Sequence, residues 1–212
     1  MESTKTRILK KLLETDGYLS GQDLCEQLGV SRTAVWKYMK QLKEEGYEIE
    51  AVQNKGYCLK DVPDVLGESE IKSRLHTRWA GQTLYYYDEI DSTNTQIKRL
   101  AEEDAPHGTL AVADYQSRGK GRRGRAWDSP HGSAIYMSIL FRPEIRPDRA
   151  SMLTLVIGLS VTQAIRSNLG LQAQIKWPND VVLNGKKLVG ILTEMSAQMN
   201  YIEYLVTGIG IN

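Results

Sequence analysis

The sequence predicts an α+β protein in two domains, a small N-terminal helix-turn-helix with a hairpin wing and a larger domain on a mixed, partly antiparallel sheet. Three observations carry this. In the first sixty residues apolar positions recur at helical spacing, then switch to strand alternation after Gly46. Further on, strands alternate with helices but also follow one another directly, as around Asn184-Gly185, the strongest short hairpin signal. Between these regions Asp61 to Ser69 (DVPDVLGES) is a turn-rich connector, which divides the chain into 1–63 and 64–212, with the boundary near Pro63.

Ile8, Leu9, Leu12 and Leu13 define the first helix. Ser20 caps a short second helix, GQDLCEQL, which stops at Gly29; Ser31 caps a longer third through Val35, Met39 and Leu42, which stops at Gly46. Two helices joined by a turn, the second with a cationic outer face, is the grammar of a DNA reader, although the same lysines also suit a merely solvated face. The residues placed on DNA are Ser31, Arg32, Thr33, Lys37, Lys40 and Lys43, with Lys55 from the wing turn between YEIEAV and YCLK. Residues 1–60 hold ten Lys or Arg against nine Asp or Glu, so one copy binds weakly and a dimer or paired site is expected.

In the second region the expected elements are the strand TLYYYDEI, the helix TNTQIKRLAEE capped by Ser92, a strand ending at Tyr115, the strand AIYMSILF and an apolar helix within residues 151–169. A short strand around Gln174 to Trp177, VVL, KLVGILTEM and YIEYLVTGIGIN complete the sheet. Between two of these strands, residues 118–125 read RGKGRRGR, five cationic side chains and three glycines in a chain of formal net charge +1. Glycines let backbone N–H groups approach a ligand and guanidinium forks match phosphate or carboxylate oxygens, so the loop is a candidate anion site; its charge alone also fits a nucleic-acid patch. Gly119-x-Gly121-x-x-Gly124 fits the dinucleotide spacing, but no helix opens after it, and the absence of HRD-type and DFG triplets removes a kinase reading.

No run of about 18 apolar residues and no uninterrupted apolar stretch near the N-terminus occur, so neither a membrane span nor a secretory signal is expected and the protein is placed in the cytoplasm. Cys25 and Cys58 stand alone, without CxxC or ligand-spaced histidines, so neither a disulfide nor a metal site is expected.

Three further segments combine with the basic loop. Asp91-Ser92-Thr93-Asn94 sets hydroxyls and free N–H groups at a helix N-terminus, Lys176-Trp177-Pro178-Asn179-Asp180 brings a base and an acid to a strand turn, and Lys187 follows the hairpin. With STN at Ser92 to Asn94, GKGRRGRAW from Gly119 to Trp127, KWPND from Lys176 to Asp180 and KLVGIL from Lys187 to Leu192, in this order, the chain closely resembles the bifunctional biotin protein ligases that double as biotin operon repressors.

That resemblance implies a catalytic sheet like that of class II aminoacyl-tRNA synthetases. It also implies activation of biotin by ATP to biotinyl-5′-adenylate, with Mg²⁺, followed by transfer to a lysine of a biotin carboxyl carrier protein. The partners implied are that carrier, operator DNA and a second copy in a homodimer induced by the adenylate, with no membrane. Carried over, Ser92, Thr93, Asn94, Gln116, Gly119, Lys120, Gly121, Arg122 and Lys187 bind biotin and its adenylate. Lys187, Arg122 and Asp180 are the catalytic set, with Asp180 near the acceptor lysine. Trp127 and Ile191 are expected to wall the biotin rings and chain. A non-catalytic biotin-sensing regulator and a lipoate-type ligase remain as rivals. Lys120 stands where the family has Arg, which keeps the charge but loses the fork. The family also continues beyond Asn212 through more of the catalytic domain and a small SH3-like domain, so the chain is expected to be truncated and its catalytic domain incomplete.

Overall fold

The computed structural model describes residues 3–212 and forms two compact units, one ending at His76 and the other spanning Thr77–Asn212. The first contains α1 (Thr4–Glu14), α2 (Gly21–Leu28), α3 (Arg32–Glu44), β1 (Glu48–Val52), β2 (Gly56–Asp61) and α4 (Glu68–Arg74). Ser20 accepts the N–H groups of Gln22 and Asp23, and Ser31 accepts that of Ala34; caps of this kind each stabilise a helix by about 0.5–2 kcal/mol. Ile8, Leu9, Leu24, Val35, Met39 and Leu42 meet in one apolar core, which Tyr47 and Ile49 of the wing complete. The wing is antiparallel and is widened by an exchange of backbone hydrogen bonds between Leu19 and Tyr57.

The unit boundary lies past Pro63, at His76, because the segment read as a connector leads into α4. This short helix packs on α1, and Tyr47 Oη donates to Glu70 Oε2 at 2.6 Å.

The second unit carries a seven-stranded sheet in the order β3-β4-β5-β9-β8-β7-β6. Its strands are β3 (Leu84–Ile90), β4 (Leu110–Gln116), β5 (Ile135–Phe141), β6 (Gln174–Lys176), β7 (Asp180–Leu183), β8 (Lys186–Ala197) and β9 (Ile202–Ile211), with helices α5 (Thr93–Glu102) and α6 (Ala150–Leu169). Only β3 and β4 are parallel, joined through α5 as a parallel pair requires; every other neighbouring pair is antiparallel. Asn184 (φ 52°) and Gly185 (φ 79°) make the two-residue turn between β7 and β8.

The two helices take opposite faces. On one, Ile97, Leu100 and Ala101 of α5 meet Ala111, Leu140 and Val206; on the other, Ile157 and Ile165 of α6 meet Val181, Val189, Ile191 and Ile209. The segment Pro147–Leu169 is long and apolar enough by composition to cross a membrane, contrary to the reading from the sequence. One face of it packs on the sheet, while Met152, Leu155, Val156 and Leu159 on the rest are exposed. Strand alternation puts Tyr136 and Ser138, Gly208 and Gly210, and Gly190 and Leu192 together on the α5 face, paired in register as Ser138↔Gly208↔Leu192 and Tyr136↔Gly210↔Gly190. This strip is the floor of the site.

Candidate active site

The cleft above the glycine floor is lined by the start of α5, the basic loop, Trp127 and Lys187. Three positions of its floor are glycine, and other groups lie directly on them. A Cβ on Gly190 would stand 2.5 Å from the Trp127 ring and one on Gly210 would stand 2.7 Å from it, while one on Gly208 would overlap Asn94 Oδ1. Trp127 therefore rests flat on two paired strands, with Lys187 Nζ 5.0 Å from its ring centre.

The basic loop folds back on itself. Gly121 N–H donates to Arg125 O at 2.7 Å and Trp127 N–H to Gly119 O at 2.9 Å, and Arg123 (φ 57°) and Gly124 (φ 73°) turn the tip. This hairpin divides the cations: Lys120 and Arg122 line the cleft, whereas Arg118, Arg123 and Arg125 do not. Arg122 Nη1 donates to Asn179 Oδ1 at 2.8 Å, and Lys120 Nζ donates to Thr95 Oγ1 at 3.2 Å. Gly119 lies behind the cleft, where a Cβ would overlap Trp127 O, so its place is set by loop closure.

Across the cleft Lys187 Nζ lies 2.8 Å from Asp180 Oδ1. The approach is off the hydrogen-bond direction, which leaves this buried oxygen neutralised in charge but without a hydrogen-bond partner among the described residues. Asn179, quoted in the KWPND segment but given no role from the sequence, ties the two sides together. Its Nδ2 donates to Ile191 O at 2.9 Å while its Oδ1 receives Arg122.

At the start of α5, Ser92 occupies the cap position without capping, since its side chain takes no helix N–H and its own N–H donates to Asp91 Oδ1 at 2.7 Å. Thr93 N–H donates to Gln116 Oε1 at 2.8 Å, and Gln116 Nε2 to Ser129 Oγ at 3.0 Å, which fixes the Gln116 amide. Ser138 Oγ lies 2.7 Å from Thr93 Oγ1 and 2.6 Å from Asn94 Oδ1. The Thr93 hydroxyl in turn donates to Gln116 Oε1 at 3.1 Å, so the single Ser138 proton is shared between Thr93 Oγ1 and Asn94 Oδ1 as acceptors. Asn94 Nδ2 then donates to Glu194 Oε2 at 2.8 Å, and Lys98 Nζ closes the chain on Glu194 Oε1 at 2.6 Å. Burial pushes the Glu194 carboxyl up, but hydrogen bonds from Lys98 and Asn94, with the charges of Lys98 and Lys120, hold it below the ordinary glutamate value.

The structure thus brings together Ser92, Thr93, Asn94, Gln116, Lys120, Gly121, Arg122 and Lys187 around one cleft, with Asp180 against Lys187. Asn94 is spent on internal bonds, so it positions its neighbours. One expectation is corrected: the Ile191 side chain turns to the opposite face, against Gly158 of α6. Trp177, just past the short strand β6, is 76% exposed.

In the N-terminal unit Ser31, Arg32, Thr33, Lys37, Lys40, Lys43 and Lys55 are all exposed. Ser31 is occupied as a cap, and Lys40 Nζ lies 3.7 Å from Glu44.

Comparison with known proteins agrees with this architecture. The bifunctional ligase/repressor BirA of Bacillus spizizenii is 47% identical over all of this chain and 66% of its own length. That of Escherichia coli is 36% identical over 95% of this chain and 61% of its own. The chain therefore spans about two thirds or less of the length of these relatives. Among solved structures, the biotin protein ligase of Aquifex aeolicus in complex with biotin and ATP superposes with TM-score 0.52 at 39% identity, over 62% of this chain and 52% of that one. The ligase of Leishmania major in complex with biotinyl-5-AMP gives TM-score 0.53 at 26% identity, over 62% and 57%. The profile of an HTH domain matches residues 4–58. That of the biotin/lipoate A/B protein ligase family matches residues 86–212, more than half of the chain, which is thus a member of this family.

Proposed function

We propose that this chain activates biotin with ATP to biotinyl-5′-adenylate and pyrophosphate and passes the biotinyl group to a lysine of a carboxyl carrier protein. The observation that carries this is the convergence of uncapped hydroxyls with Lys120, Arg122 and Lys187 around one cleft. Ser92 offers a hydroxyl, and Thr93, whose proton goes to Gln116, offers only lone pairs; together they suit a small group with both an acceptor and a donor, such as a ureido ring. A carboxylate attacking the α-phosphate brings two anions together, and the fixed cations offset that repulsion and the charge on the departing pyrophosphate. In transfer, Asp180 orients the acceptor amine or takes its proton.

Magnesium fits this site only together with the nucleotide. The cleft offers the ion one carboxylate, Asp180, already engaged by Lys187, and Mg²⁺ is commonly held by one or two carboxylates plus substrate phosphates. Its chemistry would be to neutralise the triphosphate.

We further propose that the N-terminal unit binds operator DNA in the cytoplasm as a homodimer favoured by the adenylate, which makes the protein a biotin-dependent repressor; no membrane is involved. The names of the Bacillus and Escherichia relatives, ligase and repressor at once, support the pairing. The test is pyrophosphate release by the 212-residue chain given biotin and ATP together, singly, or with lipoate in place of biotin. Release that requires both biotin and ATP supports the assignment; release with lipoate but not biotin, or adenylate binding without turnover, rejects it.

A further inference from the structure

Among the described residues of the N-terminal unit the most exposed large apolar side chain is Trp36, at 59%. It stands on α3 away from the core side chains Val35, Met39 and Leu42. Single exposed apolar residues are ordinary on protein surfaces; the surroundings of this one are not. Arg32, Trp36 and Lys40 follow one another at four-residue steps, so they form one stripe, and Thr33 and Lys37 flank it, all exposed. The acid at the far end, Glu44, is already beside Lys40.

Arg32 is also held in place. Its Nε and Nη2 both donate to Gln22 Oε1, at 3.2 and 2.7 Å, and Gln22 Nε2 donates to Glu26 Oε1 at 2.6 Å. The guanidinium is thereby anchored to α2, with no partner for Nη1 among the described residues. An anchored fork one turn from a bare indole, among like charges, is a poor docking surface for another protein and a complementary one for a polyanion. The major groove of B-DNA admits a helix, and its one apolar group is the thymine methyl.

We propose that Trp36 reads sequence by packing its indole on a thymine methyl in the major groove, while Arg32 donates to the edge of a neighbouring base pair. Four residues of helix rise about 6 Å against about 3.4 Å per base pair, so the two side chains address pairs one or two steps apart. Lys37, Lys40, Lys43 and Lys55 then serve the phosphates. This rests on the DNA-binding reading above and assigns within it which side chain reads bases.

The test uses the full chain with biotin and ATP present, and duplexes enriched by the wild-type protein from a random-sequence library. Each thymine of the enriched duplex is replaced in turn by deoxyuridine, which removes the methyl and keeps the hydrogen-bonding edge. At one thymine of each half-site the wild type should bind about fourfold more weakly after replacement, the value of one methyl removed from water. Trp36→Ala should bind the thymine duplex more weakly, ignore that replacement, and keep the wild-type salt slope, because no phosphate contact is lost. Its melting temperature should be that of the wild type, and Trp36→Gln repeats the comparison with a polar side chain.

A wild type indifferent at every thymine, or Trp36 variants with wild-type affinity and the same deoxyuridine response, overturns the assignment and leaves DNA binding standing. Variants that lose only self-association in sedimentation, with DNA affinity restored at high protein concentration, make Trp36 a protein contact and also overturn it. Failure to enrich any duplex overturns both this assignment and the DNA-binding reading.

Discussion

Replacing Gly190 by Ala adds one methyl group to the floor of the cleft. The new Cβ would lie 2.5 and 2.7 Å from two ring carbons of Trp127 and 3.1 Å from Lys187 Cε. Gly190 is paired within the sheet to Gly210, so the strand cannot retreat without breaking its ladder. The ring must rise by about 1 Å to reach ordinary contact beyond 3.4 Å. It takes the loop with it, because Trp127 N–H is bonded to Gly119 O and Lys120 and Arg122 lie on the same hairpin. Overpacking of this kind costs about 1–3 kcal/mol of stability, and a displacement near 1 Å in a positioned site costs about a hundredfold in rate. Gly190→Ala should therefore lower biotin- and ATP-dependent pyrophosphate release by roughly two orders of magnitude while the melting of the N-terminal unit stays unchanged. The double variant Gly190→Ala, Trp127→Ala should recover stability but not activity, since the clash is gone and the clamp with it. Wild-type turnover and stability in Gly190→Ala would refute the reasoning, for the glycine would then serve neither contact.

Arg122→Gly removes the only side chain of the loop bonded across the cleft to Asn179, so adenylate dissociation should rise more than its formation slows; an unchanged adenylate lifetime in a chase experiment removes Arg122 from the site. Glu194 has a native carboxyl below the ordinary value. Its contribution to stability is therefore complete above the unfolded value near ~4.3 and is lost as pH falls through the native one. Glu194→Gln should accordingly flatten the acid side of the melting profile of the second unit, and an acid slope identical to the wild type counts against the buried chain from Thr93 to Lys98. Operator affinity should depend on protein concentration. If Lys37, Lys40, Lys43 and Lys55 of two copies neutralise about eight phosphates, log K should fall against log salt with a slope near −7, and a slope near −2 would exclude a paired reader.

The elements with local chemical causes were legible in the sequence. Ser20 and Ser31 cap α2 and α3 as read, and Gly29 ends α2 in the left-handed conformation (φ 66°). Asn184-Gly185 forms the hairpin it announces. α4 escaped because ESEIKSR has one apolar residue and no side-chain cap; it is held by Lys72–Glu68 and Arg74–Glu70 ion pairs and by α1. In the cleft, charged loop residues announced themselves, whereas Gly190 and Gly210 contribute by having no side chain and so leave no chemical signal. Glu194 lies one hundred positions from Asn94, and no local pattern could couple them. Ser92 shows the opposite error: it has the residue type and position of a cap, but Asp91 takes its N–H and the helix does not take its hydroxyl.

The three cations of the cleft are not equally available to an anion. Lys120 is bonded to the Thr95 hydroxyl and Arg122 to the Asn179 amide, neutral partners that a phosphate oxygen replaces with a stronger, charge-assisted bond. Lys187 is different, for it sits 2.8 Å from the carboxylate of Asp180, and turning to a phosphate exchanges one anion for another. On the proposed reaction that exchange has a consequence for the second step, because Asp180 then loses its cation just as an acceptor amine needs an anion to orient or deprotonate it. Lys187 would thus restrain Asp180 until the adenylate is in place. Lys187→Ala should consequently divide the two half-reactions. Adenylate formation should fall by about two orders of magnitude or more, the scale of losing one positioned charge at a transition state. Transfer from chemically supplied biotinyl-5′-adenylate to a carrier protein should be largely retained, and Asp180→Asn should show the reverse pattern. Measuring pyrophosphate release and single-turnover transfer separately in both variants decides the matter. Equal loss of both steps in Lys187→Ala would mean that Lys187 acts on the adenylate throughout, and that its pairing with Asp180 does not separate the two steps.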